Sequence, residues 1–298
     1  RNPALYLDRA FNAVHLLLAR SFAPLDERKE AAVARLMAIP EYFESVKPNL
    51  QQVPAVLLES SLEMAAHGPT FVDEVVRTLM RQFPGEAERL EHAGNRARSG
   101  FLRFHDWMER DLKPRASGTF AIGERWMNYK LEREHMVPYT CPELERVGRQ
   151  HVAHVHVLLE DEARRLDPRR HWRDLIAEGR RRVPEAHWLR EAYVVEMERA
   201  KRFVLERRIA PLPVGERLEI RDTPMFERGM LPYAAYQAPA PFDADPAGVF
   251  YVTPIDIRRN KEEQAAQLGA HCKPALPIIA LHEGYPGHHL QLTHANRA

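Results

Sequence analysis

The chain is poor in cysteine: Cys141 and Cys272 are the only two among 298 residues. Two thiols so far apart build neither a disulfide scaffold nor a thiolate-rich metal site, and they form no local redox motif. Long apolar runs are also missing. The longest fall far short of the roughly 20 residues that cross a bilayer, so no transmembrane segment is expected. An excess of one charge is lacking too, since 43 Lys and Arg face 42 Asp and Glu for a net charge of +1. No general positive field exists to attract a phosphate backbone, and nucleic acid is not an expected partner. The stretch from Arg1 to Arg20 lacks the basic, apolar and small-residue order of a signal peptide. Because the chain opens on Arg1 rather than Met, the expected location is the cytoplasm, or outside it after removal of a signal. What is present is the balance of a globular protein, 45% hydrophobic and 29% charged, long enough for one large domain or two modest ones.

Helical periodicity dominates the first two hundred residues. Leu5, Leu7, Phe11, Val14, Leu17 and Leu18 recur mostly at three- and four-residue spacings up to a break at Ser21 to Pro24. A second helix is predicted from Leu25 to Met37, stopped before Pro40. Another follows Pro54 and ends near Gly68, and Thr70 is the expected cap of the next. Glu86 to Leu112 reads as helix interrupted near Gly94 and Gly100. Ser117-Gly118-Thr119 marks a boundary, which gives an N-terminal helical lobe over 1–117 and a second helical region over 118–298. In the second part, Gly123 to Met136 carries Trp126, Tyr129 and Leu131 near one side. Glu143 to Leu166, His171 to Glu178 and Pro184 to Arg208 continue the helical pattern. After Pro211 the character changes. Leu218 to Asp222 and Gly248 to Thr253 are strand candidates, and Gly229, Pro232, Pro239, Pro241 and Pro246 between them suggest an irregular surface segment. Helix resumes from Asn260 to Leu268. The fold class expected is mainly all-α, with a few short strands.

The densest chemical signal is His282-Glu283-Gly284-Tyr285-Pro286-Gly287-His288-His289-Leu290-Gln291, behind the apolar approach Ile278 to Leu281. Neutral imidazoles are good Zn²⁺ ligands, and a nearby carboxylate can take a proton from zinc-activated water. The spacing is not His-Glu-x-x-His, because Pro286 stands four after His282. In an unbroken helix His282 and His289 would sit about 10.5 Å apart along the axis, too far for one zinc. Pro286 removes a helical hydrogen bond and Gly287 permits a bend, so the pair could return a displaced histidine to the metal. Geometry alone does not select His288 over His289.

HEGYPGHHLQ resembles the signature of the bacterial DUF885 family, His-Glu-x-x-Pro-Gly-His-His-x-Gln, at every fixed position. GVFYVTP at Gly248 to Pro254, the stretch around Gly123, Tyr129 and Leu131, and RLMAIPEYF at Arg35 to Phe43 add weaker resemblance. The family resemblance implies a multi-helix, zincin-like (gluzincin-type) metallohydrolase with its strands near the active-site cleft. It implies Zn²⁺ as cofactor and a peptide or peptide-like small substrate. His282 would be the first metal ligand, His288 or His289 the second, and Glu283 the general base. The remaining histidine would orient substrate or stabilise the tetrahedral intermediate; Tyr285, by its closeness in sequence alone, could join that stabilisation. Such sequences continue into a Glu-Gly-Trp-Ala segment whose Glu supplies the third ligand; none occurs here, so the catalytic region is expected to be truncated before that ligand. The alternative function is a catalytically inactive metal-binding or scaffold protein.

Other candidates have plainer readings. His151, His154 and His156 form a second cluster, best explained by exposure or ordinary hydrogen bonds. Arg258 or Arg259 could grip a substrate carboxylate, but a surface role is at least as simple. Tyr251 would pack in the core or line the cleft, and Trp107, Trp126, Trp172 and Trp188 are expected in core packing.

Overall fold

Apolar stripes at helical spacing produce five long N-terminal helices: α1 (Ala4–Ala19), α2 (Leu25–Val46), α3 (Ala55–Ala66), α4 (Gly68–Gln82) and α5 (Ala87–Trp107). The computed structural model describes residues 2–19, 22–228 (Phe226 by its backbone only), 231–241 and 247–297. Expectations placed on Arg1, Arg20, Ser21, Gly229 and Pro246 lie outside the described residues. The five helices enclose one apolar core from Ala4 to Leu112, with Phe11, Phe43, Phe71, Phe101 and Phe104 at its centre. Phe43 stacks on Phe104 with ring centroids 4.4 Å apart.

Three sequence expectations fail in this lobe, each for a packing reason. Helix α2 does not stop before Pro40 but runs on to Val46. Pro40 is buried against Gly100, where a Cβ would lie 3.1 Å from the proline nitrogen. That close helix contact offsets the roughly 3 kcal/mol that an interior proline costs. Gly94 and Gly100 do not interrupt α5; they are the points where it approaches α4 and α2, and a Cβ on Gly94 would stand 2.6 Å from Val76 Cγ2. Thr70 does not cap α4, which begins at Gly68 with Pro69 in its first turn, a position where a missing N–H does no harm. After Trp107 the chain widens into a π-helical turn over Met108–Leu112.

Next come α6 (Glu124–Arg133), α7 (Cys141–Leu166), α8 (Trp172–Arg181) and α9 (Leu189–Glu206). The Glu143 carboxylate accepts from the Thr140 N–H at 2.8 Å and from its hydroxyl at 2.7 Å, so α7 starts two residues before the expected Glu143. His151 through Leu158 are all exposed on α7. Trp126 and Tyr129 do not share a side with Leu131: both are exposed, while Leu131 is buried. Trp188 is 55% exposed as well, so of the four tryptophans only Trp107 packs against the main core.

The sheet has three strands, β1 (Arg217–Asp222), β2 (Ala234–Gln237) and β3 (Ala247–Val252), in the order β1-β3-β2. β1 pairs parallel to β3 with Arg217 opposite Ala247, and β2 pairs antiparallel with Ala234 opposite Val252. β3 is central, which suits its nearly continuous apolar sequence. β2 lies inside the Pro-rich segment read as irregular surface. Its four residues, Ala-Ala-Tyr-Gln, are too short for a period-two signal, and pairing with β3 imposes the extended form. Then follow α10 (Lys261–Ala270), started by an Asn260/Glu263 capping box, α11 (Leu276–Glu283) and α12 (His288–Ala295). The architecture is mostly α-helical with a small sheet. Among the described residues no helix is long and apolar enough to cross a membrane.

α9 is the beam of the C-terminal part. Leu189, Tyr193 and Met197 share a core with Phe250, Val252, Leu276 and Ala280, while Ala200 and Val204 share another with Tyr285 and Leu290. His271, fully buried beside this core, has its Nδ1 2.8 Å from the Tyr193 hydroxyl and no partner at Nε2. Burial lowers its pKa to about 4. The unfolded chain takes up that proton near pH 6.5, so this histidine withdraws stability as the pH falls from about 6.5 to about 4. The expected total is on the order of 3 kcal/mol. Urea unfolding at pH 7.5, 6, 5 and 4.5 should show the decline, and His271→Asn should flatten it; an equal slope in the variant would assign the decline to other groups.

Candidate metal centre

The last two helices meet at a short link within the C-terminal motif. α11 ends at Glu283, a four-residue link follows, and α12 starts at His288. Both glycines of the link sit where a side chain has no room. A Cβ on Gly284 would run into Met197 Sδ of α9, and one on Gly287 into the main-chain carbonyls of His282 and Leu281. Pro286, in a cis linkage to Tyr285, lies between them. The link packs Gly287 directly against the main chain at the end of α11.

This link brings His288 against His282. Their Nε2 atoms are 3.1 Å apart and their rings stand nearly perpendicular, with centroids 4.6 Å apart. The Glu283 carboxylate joins them, with all three candidate ligand atoms within 4.8 Å of one another. Both histidines are exposed and Glu283 is half-buried. The apolar approach covers the site only in part: Leu276 and Ala280 are buried, while Ile278 and Leu281 face outward. Among the described residues this is the one group of three or more His, Cys, Asp or Glu side chains close enough to hold a metal.

His289 and Tyr285, also expected at the site, turn the other way. His289 is fully buried with Nε2 2.8 Å from Glu216 Oε1 and Nδ1 3.0 Å from the Tyr236 hydroxyl. An ionised carboxylate only accepts, so Nε2–H donates to Glu216 and, in the neutral ring, Nδ1 accepts from Tyr236. Tyr285 is buried too, and its hydroxyl donates to the same Glu216 oxygen. Lys201 Nζ of α9 stands 3.2 Å from Glu216 Oε2. Gly248 closes the assembly from β3: a Cβ there would come within 2.5 Å of the Tyr236 hydroxyl and 2.6 Å of His289 Nδ1.

Glu216 escaped the sequence reading, and its side chain is only 3% exposed. Burial by itself would raise its pKa, but hydrogen bonds from His289 and Tyr285, with the Lys201 ammonium, hold it down at about 2. The same burial and the facing Glu216 carboxylate push the Tyr285 hydroxyl far above its usual range. A glutamate in a Gly-Glu-Arg stretch before a short strand carries no local signal of such a role.

The remaining candidates lie elsewhere. His151, His154 and His156 spread along an exposed helix and form no such group. Arg258 is held by Asp256 at 2.9 Å, and Arg259 lies 3.9 Å from Glu63. Tyr251 is buried, and its hydroxyl donates to Gln237 Oε1 at 3.3 Å.

A family model described as "Bacterial protein of unknown function (DUF885)" matches residues 3–298. A solved structure from Shewanella oneidensis, described as a "putative lipoprotein of unknown function", is similar over 100% of this chain with a TM-score of 0.66 and 20% identity. The chain spans 56% of that protein's chain, and at this identity the likeness speaks to the fold. No curated protein matches.

The tight link makes a paired prediction. Gly287→Ala puts a methyl where two backbone carbonyls stand, so the link must open, at a cost of about 1–3 kcal/mol. Gly148→Ala, inside α7 with nothing near its would-be Cβ, should instead stabilise by about 0.5–1 kcal/mol. Chemical unfolding of both variants checks this, and a neutral Gly287→Ala would show that the link has slack.

Proposed function

The chain belongs to the DUF885 family, and from the geometry around its α11–α12 link we propose that it is a metal-binding protein centred on His282, Glu283 and His288. The observation that carries this reading is the 3.1 Å between the two Nε2 atoms. Two nitrogens held by one tetrahedral zinc at 2.0–2.1 Å lie about 3.3 Å apart. A ring-to-ring hydrogen bond accounts for the same distance, but it needs no carboxylate beside it, and Glu283 is there. Imidazole and carboxylate donors suit Zn²⁺ better than Ca²⁺ or Mg²⁺, which take oxygen. His289 stays out of the donor set, because both its ring nitrogens already have partners.

The finer reading is hydrolysis of a peptide or related amide. A bound Zn²⁺ would supply Lewis acidity, polarising a substrate carbonyl and acidifying a water. Glu283 follows His282 directly, so on a helix its side chain leaves the axis about 100° away and stands beside the imidazole. From there its carboxylate takes a proton from the attacking water and returns it to the leaving nitrogen. The outward-facing histidines leave the centre open to a peptide-sized molecule. In the catalytically inactive alternative, Glu283 is itself the third ligand, and the metal orders the α11–α12 link.

Glu283→Gln separates these readings. As a general base, with a third ligand supplied from outside this group, Glu283 can be replaced with zinc content retained and turnover lowered by roughly 10²-fold or more. As a ligand, its replacement weakens zinc binding and leaves no turnover to lose. Zinc stoichiometry and hydrolysis of a peptide library are measured on the same samples. His282→Ala and His288→Ala should each abolish stoichiometric zinc, and zinc retained by both would remove the centre from the protein's function.

A further inference from the structure

We infer that Glu216 is the positioning residue of this centre: by holding His289 and Tyr285 inside, it fixes the rotation of α12 that sets His288 against His282. The geometry of this inference comes from the fold alone, and its chemical consequence rests on the metal-binding reading above.

α12 has eight residues and no side-chain cap at its start. At its far end His294 Nε2 lies 2.9 Å from the Pro211 carbonyl and the Asn296 amide donates to the Pro239 carbonyl at 2.8 Å. At its near end the buried polar holds are both on His289: Glu216, which carries the charge, at Nε2, and the Tyr236 hydroxyl at Nδ1. Glu216 is itself anchored, since the next residue, Arg217, opens β1 opposite Ala247, and Lys201 of α9 stands on its second oxygen. His288 and His289 leave the helix about 100° apart. With His289 locked inward, His288 has one direction available, toward His282. Side-chain tips lie about 5–6 Å from a helix axis, so a 20° rotation moves one by about 2 Å. Metal–ligand distances tolerate about 0.2 Å. The adjacent histidines thus divide the work: His288 faces the cation side, and His289 is the keel that aims it.

The consequence is a loss of pre-organisation when Glu216 is changed. In metal-free wild-type protein, imidazole ring protons of His282 and His288 should give a nuclear Overhauser cross-peak, as their centroids are 4.6 Å apart. Glu216→Ala should lose that cross-peak and weaken zinc binding by about 10- to 100-fold. Glu216→Gln keeps one acceptor oxygen without the charge and should fall between; it also carries the test if the alanine variant does not fold. A control separates aiming from stability in general: Phe104→Leu, in the distant N-terminal core, should lower the melting temperature yet leave cross-peak and zinc affinity unchanged. Cross-peak and affinity preserved in the Glu216 variants would overturn the inference, as would an equal zinc loss in the Phe104 control. A wild type that binds no stoichiometric zinc, but loses the cross-peak when Glu216 is changed, would sink the metal reading and uphold the positioning.

Discussion

A buried carboxylate with three donors is the interaction on which the C-terminal half depends. Glu216 gives up hydration, and an ionised group so enclosed persists only if hydrogen bonds and an opposite charge replace the water. His289, Tyr285 and Lys201 do so. These donors come from α12, the link before it and α9, while Glu216 stands at the head of β1. One charge therefore ties α12 and its preceding link, a sheet and a long supporting helix together. Removing a single partner leaves a carboxylate or an imidazole unsatisfied, which costs more than the net gain of any one hydrogen bond.

The two halves use different means of fixing their helices. In the N-terminal lobe, Phe side chains and bare glycine backbones let α2, α4 and α5 approach closely, and apolar contact does the rest. In the C-terminal half the glycines serve a polar end. Gly248 clears space for Tyr236 and His289, Gly284 lets the link lie against Met197 of α9, and Gly287 lets it lie against the end of α11. Apolar packing tolerates sliding better than directional hydrogen bonds do. A site that must hold two imidazole nitrogens about 3 Å apart gains from the directional kind.

Much of the helical body was legible because its periodicity is strong and local. Local breakers misled where distant packing won: Pro40 stays inside α2 because Gly100 receives it, and Gly94 marks an approach rather than a break. β2 was hidden because four residues among prolines extend only when β3 is there to pair with. At the site, His282, Glu283 and the bend at Pro286-Gly287 could be read from the motif. The division between His288 and His289 could not. It depends on the rotation of α12, which is set by a glutamate 73 residues upstream that no spacing rule connects to the motif.

The central claim is that His282 and His288, and not His289, face the cation. Anomalous diffraction at the zinc edge from crystals of zinc-loaded protein tests it most directly. The account predicts a single strong peak 2.0–2.1 Å from Nε2 of both His282 and His288, with His289 still on Glu216. A peak ligated by His289, or zinc scattered over the surface with none at the α11–α12 link, would contradict it.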